Sequence, residues 1–361
     1  MTITIFIGSL VGGGAERVAC NLANHLCQHG YNINMLNVSE VEKAYPLDNR
    51  VKVHYLLKVN ERKNIIYNTI LRFCRYVKFV FFQQTDVFVV FLPFTINLTL
   101  STKFLTNAKI IAAERANPDD YPLSVQSKLK KNAKKADGWV FQTINQKKWY
   151  EPYIAGVASK VIPNAINTDF IRPIYKGGRR KEIVTSGRLT EQKNHKLLIH
   201  AFSRITNQFP DYRLVIYGEG PLKNELQNLI NSLGLSEKIY MPGYTTDIGN
   251  KIKDASLFVL SSDFEGMPNA LMEAMALGVP CISTDCSGGG ARFLIENGKN
   301  GILIPPKDEN SMVDAMISVL SNSKLASSFG IEGHKICESL APDLIYGEWE
   351  SYIKYIVSKA G

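Results

Sequence analysis

Residues 256–285 read SLFVLSSDFEGMPNALMEAMALGVPCISTD. The apolar run SLFVLSS gives way to a turn at Gly266, a helical pattern beginning near Pro268, and a second apolar run, VPCISTD. Strands that are apolar along their whole length are buried on both faces, and two of them joined through a helix make a parallel crossover unit. Working outward, the same alternation recurs. In the first half the candidate strands are TITIFIG (2–8), YNINMLNV (31–38), VKVHYLL (51–57), DVFVVFL (86–92), AKIIAAE (108–114), DGWVFQ (137–142) and SKVIPNA (159–165). In the second they are EIVTSGRL (182–189), YRLVIYGEG (212–220), KIYMPG (238–243), the two runs above and GILIPP (301–306). Between them lie helical patterns such as NHKLLIHAFSRITNQF (194–209) and PLKNELQNLINSLG (221–234).

This pattern predicts an α/β protein of two doubly wound parallel-sheet domains facing across a cleft, with ligands at the carboxyl ends of the strands. The expected division is a first domain over 1–165, a linker over 166–181 where Pro, Gly and charge interrupt the pattern, and a second domain over 182–340. The last pattern, within 341–361, is a helix expected to pack back on the first domain. Two domains also suit 361 residues.

Composition narrows the function classes. A chain that is 45% hydrophobic and 21% charged is ordinary for a globular protein. No basic segment with an apolar core opens it, and the tract 87–100 is too short for a span and contains Pro93, so a cytoplasmic chain is expected. Six cysteines do not suggest a disulfide framework, and Cys20 and Cys27, seven residues apart on one helix, would lie about 10 Å from each other. They are read as reduced core residues. Residues 1–170 hold 21 Lys and Arg against 12 Asp and Glu, whereas residues 171–361 hold 21 of each, so the whole net charge of +9 sits in the first half.

Three stretches carry chemistry. Gly12, Gly13 and Gly14 form a strand-to-helix turn, but the spacing is not G-x-G-x-x-G and no acidic residue ends the second strand, which disfavours a nicotinamide enzyme. Free backbone N–H groups there suit an anion or a sugar hydroxyl, and equally a plain tight turn. In SGRLTEQKNH (186–195), Arg188 and Lys193 precede a helix N-terminus, a convergence that suits a diphosphate. In 261–285, Glu265 follows a strand and Glu273 lies two helical turns deeper, where paired carboxylates can accept from the hydroxyls of an elongated ligand. The apolar neighbours of Glu273 argue against an exposed position.

GGGAER, GRLTEQKNHKLLIHAF, LVIYGEGPLKNEL and above all the pair Glu265 and Glu273 within SSDFEGMPNALMEAMALGVPCISTDCSGGG resemble the family 4 retaining glycosyltransferases of the GT-B fold, two Rossmann-like domains across a cleft. The resemblance runs nearly end to end and is densest from Gly187 to Gly301. It implies that Arg188 and Lys193 bind the diphosphate of a nucleotide-sugar donor and that Glu273 holds the ribose. It also implies that Glu265 grips hydroxyls of the transferred sugar, that the N–H groups of Gly266, Met267 and Asn269 complete that pocket, and that Gly187 and Pro268 belong to the donor-binding set. Gly13 and Gly14 would approach the donor from the first domain, and Tyr244 would contact the base. Relatives commonly carry a histidine where this chain has Glu114 and Arg115, as a subgroup acting on capsule and lipid-linked oligosaccharides does. No catalytic histidine is therefore carried over; Glu114 and Arg115 are acceptor-side candidates, and His25, His29 and His195 are read as surface residues.

The implied reaction moves a hexose or N-acetylhexosamine, from UDP or alternatively mannose from GDP, to a hydroxyl of a polyprenyl-diphosphate-linked glycan in surface-polysaccharide synthesis. The resemblance implies front-face attack, with the leaving phosphate taking the acceptor proton. No D-x-D occurs in the chain, so no metal and no cofactor are expected. Basic and aromatic residues interleave in 62–84, with Arg72, Arg75 and Lys78, and lysines crowd 128–135, with Lys128, Lys131 and Lys135. That pattern suits an anionic inner-leaflet surface, against the alternative of core helices with solvated faces. Nucleic-acid binding would use the same basic half but leaves both glutamates unexplained. A sugar-nucleotide epimerase of the same fold is the third reading.

Overall fold

The computed structural model describes residues 1–10, 13–41 and 45–359, so Gly12 of the glycine run lies outside the described residues. The chain folds into two compact units, Met1–Ala165 with Asp343–Gly361, and Ile166–Pro342.

The first unit is built on seven parallel strands: β1 (Thr2–Ile7), β2 (Asn32–Asn37), β3 (Lys52–Tyr55), β4 (Val87–Phe91), β5 (Lys109–Ala113), β6 (Gly138–Phe141) and β7 (Ala158–Val161). Their order is β3-β2-β1-β4-β5-β6-β7. The central strand β4, VFVVF, is buried at every position, because helices cover both faces of a parallel sheet. On the helix Gly14–Gln28, Val18, Leu22 and Leu26 recur every four residues and are buried against the sheet.

The second unit carries six parallel strands: β8 (Arg180–Ser186), β9 (Arg213–Tyr217), β10 (Ile239–Gly243), β11 (Ala255–Leu260), β12 (Cys281–Thr284) and β13 (Ile302–Ile304), in the order β10-β9-β8-β11-β12-β13. The chain therefore reverses its direction of winding between β8 and β11. Loops that follow two such neighbours leave on opposite faces and open a crevice. Residues 166–181 pack on this unit: Phe170 is buried, and Arg179 donates to the carbonyls of Ala255 (2.9 Å) and Gly278 (2.5 Å).

The C-terminal helix, Pro342–Ser358, belongs to the first unit. It buries Ile345, Tyr346, Trp349, Tyr352, Ile353 and Ile356 along one stripe. The Tyr352 hydroxyl donates to Ala158 O at 2.9 Å, and Lys160 pairs with Glu348 at 3.0 Å. Trp349, fully buried, lies 6.0 Å from the Phe91 ring and 5.0 Å from the Arg115 guanidinium. Replacing Trp349 with Ala should destabilise the protein by about 3–5 kcal/mol, the cost of a large core cavity. Urea unfolding measures this, and a loss under ~1 kcal/mol would show that the helix is not anchored there.

Candidate active site

The second unit's crevice is assembled from two loops. One follows β8 and runs from Gly187 to Lys193; the other follows β11 and runs from Ser261 to Pro268. They are laced together before any ligand arrives. Asp263 N donates to Gln192 O (2.8 Å), Gln192 Nε2 to Phe264 O (2.9 Å), Ser261 Oγ to Lys193 O (2.8 Å) and Asn194 Nδ2 to Asp263 Oδ1 (2.8 Å).

At the centre the ammonium of Lys193 donates to Glu265 Oε1 at 2.5 Å, with both side chains largely buried. Ser262 Oγ donates to the same carboxylate oxygen at 2.7 Å. A charge taken out of water is tolerated when it is paired and hydrogen-bonded, and these contacts meet both conditions. Gly187 allows the pairing, since a Cβ there would sit 3.1 Å from Lys193 Cε. Arg188, one residue on, is exposed, and its guanidinium has no hydrogen bond or ion pair among the described residues.

The helix Asn269–Ala276 starts one residue later than the sequence pattern suggests, with Pro268 as its N-cap. Glu273 is buried in its second turn. Gly266 and Asn269 are half-buried, and Met267 and Pro268 are buried. A Cβ on Gly290 would overlap the Gly266 carbonyl oxygen, so the following segment presses directly on this loop. Tyr244 stands exposed in the loop after β10. The β8 and β11 loops thus bring together Gly187, Arg188, Lys193, Glu265 and Gly266. Gly13 and Gly14 belong to the other unit, Gly13 as the extended N-cap of the helix Gly14–Gln28.

Sequence reasoning missed Ser262 and Asn194. Ser262 lies three residues before Glu265 and fixes its orientation. Asn194, at φ 43° and ψ 49°, caps the helix His195–Ile205 and ties it to Asp263. An asparagine just before an apolar helical run was the available signal.

Several expectations need correction. His195 is buried rather than on the surface; its Nε2 lies 3.4 Å from Arg188 O, and burial, then Lys193, lowers its pKa to about 4. Glu114 is fully buried: it accepts from the hydroxyls of Tyr121 (2.6 Å) and Tyr150 (2.7 Å) and from the N–H groups of Arg115 and Ala116. It organises the loop after β5 and is closed off from solvent. Arg115 is also buried, stacked over Phe91 and Trp349, and burial lowers its pKa to about 9.

Among the basic residues read as a membrane surface, Arg75 is bound to Glu61 at 2.5 and 2.7 Å, and Arg72 donates to Ser39 Oγ at 2.9 Å. Arg75 is thus neutralised by a carboxylate and Arg72 is half-buried, whereas Lys78, Lys128, Lys131 and Lys135 are exposed. Tyr76 and Phe79 belong to the core. All six cysteines are free, and Cys74 alone among them is exposed rather than packed.

A histidine whose folded pKa is depressed takes up its proton more readily when unfolded. Stability is therefore complete above the unfolded value of 6.5 and is lost as pH falls towards the folded value near 4. His25 and His54, also lowered by burial, act in the same direction. Between pH 7 and pH 5 His195 should account for about 2 kcal/mol of lost stability. Urea unfolding of His195→Asn at both pH values should show a correspondingly smaller loss; an unchanged loss would contradict the assignment.

The model of the family described as glycosyl transferases group 1 matches residues 167–336, the segment that holds both loops and both glutamates. An uncharacterised glycosyltransferase of Methanocaldococcus jannaschii is 30% identical over 298 residues, 70% of this chain and 73% of the relative. A Campylobacter jejuni α-1,4-N-acetyl-D-galactosaminyltransferase, named for a PP-undecaprenol-linked substrate, is 25% identical over 97% of both chains. In structure, Anabaena HepE, solved with UDP, superposes with a TM-score of 0.81 at 15% identity, covering 98% of this chain and all of that one. The two Rossmann-like units are those of the GT-B fold. By its sequence and its fold, this chain belongs to the glycosyl transferases group 1 family.

Proposed function

We propose that this glycosyltransferase moves a hexose or N-acetylhexosamine, with retention at the anomeric carbon and without a metal, from a UDP-sugar to a hydroxyl of a polyprenyl-diphosphate-linked glycan. The observation that carries the reading is the buried pair of Lys193 and Glu265, on the same two loops as Arg188, which has no side-chain partner among the described residues, at the crevice between β8 and β11. Support for the donor comes from the UDP bound by Anabaena HepE, and for the acceptor from the undecaprenol-linked substrate in the Campylobacter relative's name.

In this reading the diphosphate takes the ammonium of Lys193 and the guanidinium of Arg188. Glu265, released from Lys193, accepts from hydroxyls of the transferred sugar, which Gly187 and the loop Gly266–Asn269 enclose. Glu273 receives the ribose and Tyr244 the base. The acceptor oxygen bonds to the anomeric carbon as the bond from that carbon to the phosphate oxygen breaks. The acceptor's proton passes to the departing phosphate, and the two cations offset the charge that develops there.

Arg188→Ala should lower kcat by about 10²–10³, as removal of one preorganised donor does. Glu273→Ala should chiefly raise the KM for the donor, by losing ribose contacts present in ground and transition states alike. Transfer from a labelled nucleotide-sugar measures both, and a kcat/KM for the donor within threefold of wild type in either variant would sink the site assignment. A thermal-shift panel containing UDP-hexoses, UDP-N-acetylhexosamines and GDP-mannose identifies the donor, because a ligand bound only by the folded chain raises Tm. A shift with GDP-mannose alone would select the mannosyltransferase reading.

We further propose that the protein works on the anionic inner leaflet. Ile66, Ile70, Phe73 and Phe81 line one exposed face of the helix Ile65–Phe82, flanked by Lys78, and the exposed lysines 128, 131 and 135 lie in the same unit. An apolar face beside cations suits insertion at the headgroup boundary. Among the described residues no helix is long and apolar enough to cross a membrane. The protein should sediment with phosphatidylglycerol vesicles at low salt, and Phe73→Ser with Phe81→Ser should weaken that binding severalfold. No sedimentation of the wild type would contradict the surface assignment.

A further inference from the structure

His25 and His29 stand one turn apart at the C-terminal end of the helix Gly14–Gln28, their ring centroids 4.0 Å from each other. Opposite them, Glu350 projects from the middle of the C-terminal helix. Its Oε2 lies 2.7 Å from His29 Nδ1 and 3.9 Å from His25 Nε2, and the three atoms all lie within 4.8 Å of one another. The His25 side chain is nine-tenths buried, yet its Nε2 has no hydrogen-bond partner among the described residues. A buried polar atom left unsatisfied is costly, which calls for a partner at that nitrogen.

The second oxygen of Glu350 is occupied differently. Oε1 accepts from the Tyr31 hydroxyl at 2.8 Å and pairs with the Lys354 ammonium at 2.7 Å. These partners hold the carboxylate so that Oε2 faces the two imidazoles, as the outer partners of a metal-ligating carboxylate do.

We propose that His25 Nε2, His29 Nδ1 and Glu350 Oε2 bind one divalent transition-metal ion of the zinc type. Two imidazoles and a carboxylate with a fourth position open to water are a zinc donor set. Ligands at 2.0–2.1 Å around a tetrahedral ion stand about 3.3 Å apart. The separations seen here fall on both sides of that value, so rotation of three side chains closes the site. Magnesium and calcium, which require oxygen ligands, do not fit it. His29 is half exposed and gives the ion its way in.

The ion ties together residues more than 300 positions apart, fastening the C-terminal helix to the first helix of its unit. Its role is structural, and it does not rest on the proposed transfer reaction.

The test is calorimetric titration of zinc chloride into the tag-free full-length chain, with thermal melts in parallel. One ion should bind per chain and raise Tm, while magnesium does neither. His29→Gln, at an exposed position where folding is not at stake, should weaken binding at least tenfold, and His25→Gln likewise. Cobalt(II) should give tetrahedral d–d absorption that His29→Gln abolishes. Absence of saturable one-to-one binding would overturn the proposal, as would a zinc-induced shift that survives in His29→Gln.

Discussion

The parallel alignment of β8 beside β11 is the constraint on which the site depends. These strands are neighbours in space but lie on either side of the reversal in winding, so their following loops diverge and then have to be held. What holds them is the ion pair of Lys193 and Glu265, reinforced by Ser262 and by the hydrogen bonds of Ser261, Gln192 and Asn194. Removing either charge alone would strand the other in a poorly solvated place, which typically costs 3–5 kcal/mol. The pair is therefore both a strut and, in the proposed function, the element that a donor's diphosphate and sugar divide between them.

The two units use buried charge differently. In the second, Lys193 and Glu265 neutralise each other at the mouth of a crevice. In the first, burial raises the pKa of Glu114 despite four donors, and the Arg115 guanidinium lies over two aromatic faces. Phe91 and Trp349 enclose that guanidinium, so the C-terminal helix is anchored on a residue at the carboxyl end of β5. Arg115 thereby couples the far end of the chain to the carboxyl end of its own sheet.

Much of this was legible in the sequence. Each strand read from an apolar run has its ends within four residues of their place, because buried parallel strands announce themselves by composition alone. Glu273 reads as buried because LMEAMALG surrounds it with apolar residues. The pairing of Lys193 with Glu265 was not legible, since it joins positions 72 residues apart and depends on strand order. For the same reason Arg75 looked free until the turn holding Glu61 packed beside it, and Glu114 looked available until Tyr121 and Tyr150 closed over it. His195 misled in a simpler way: polar character suggested the surface, but its place at the start of a buried helix decided otherwise.

The central claim is that a nucleotide-sugar's diphosphate displaces Glu265 from Lys193 at the crevice of the second unit. A crystal structure with UDP tests it most directly. The account predicts phosphate oxygens within hydrogen-bonding distance of both Lys193 and Arg188, and the ribose hydroxyls on Glu273. A nucleotide bound elsewhere, with Lys193 still on Glu265, would contradict it.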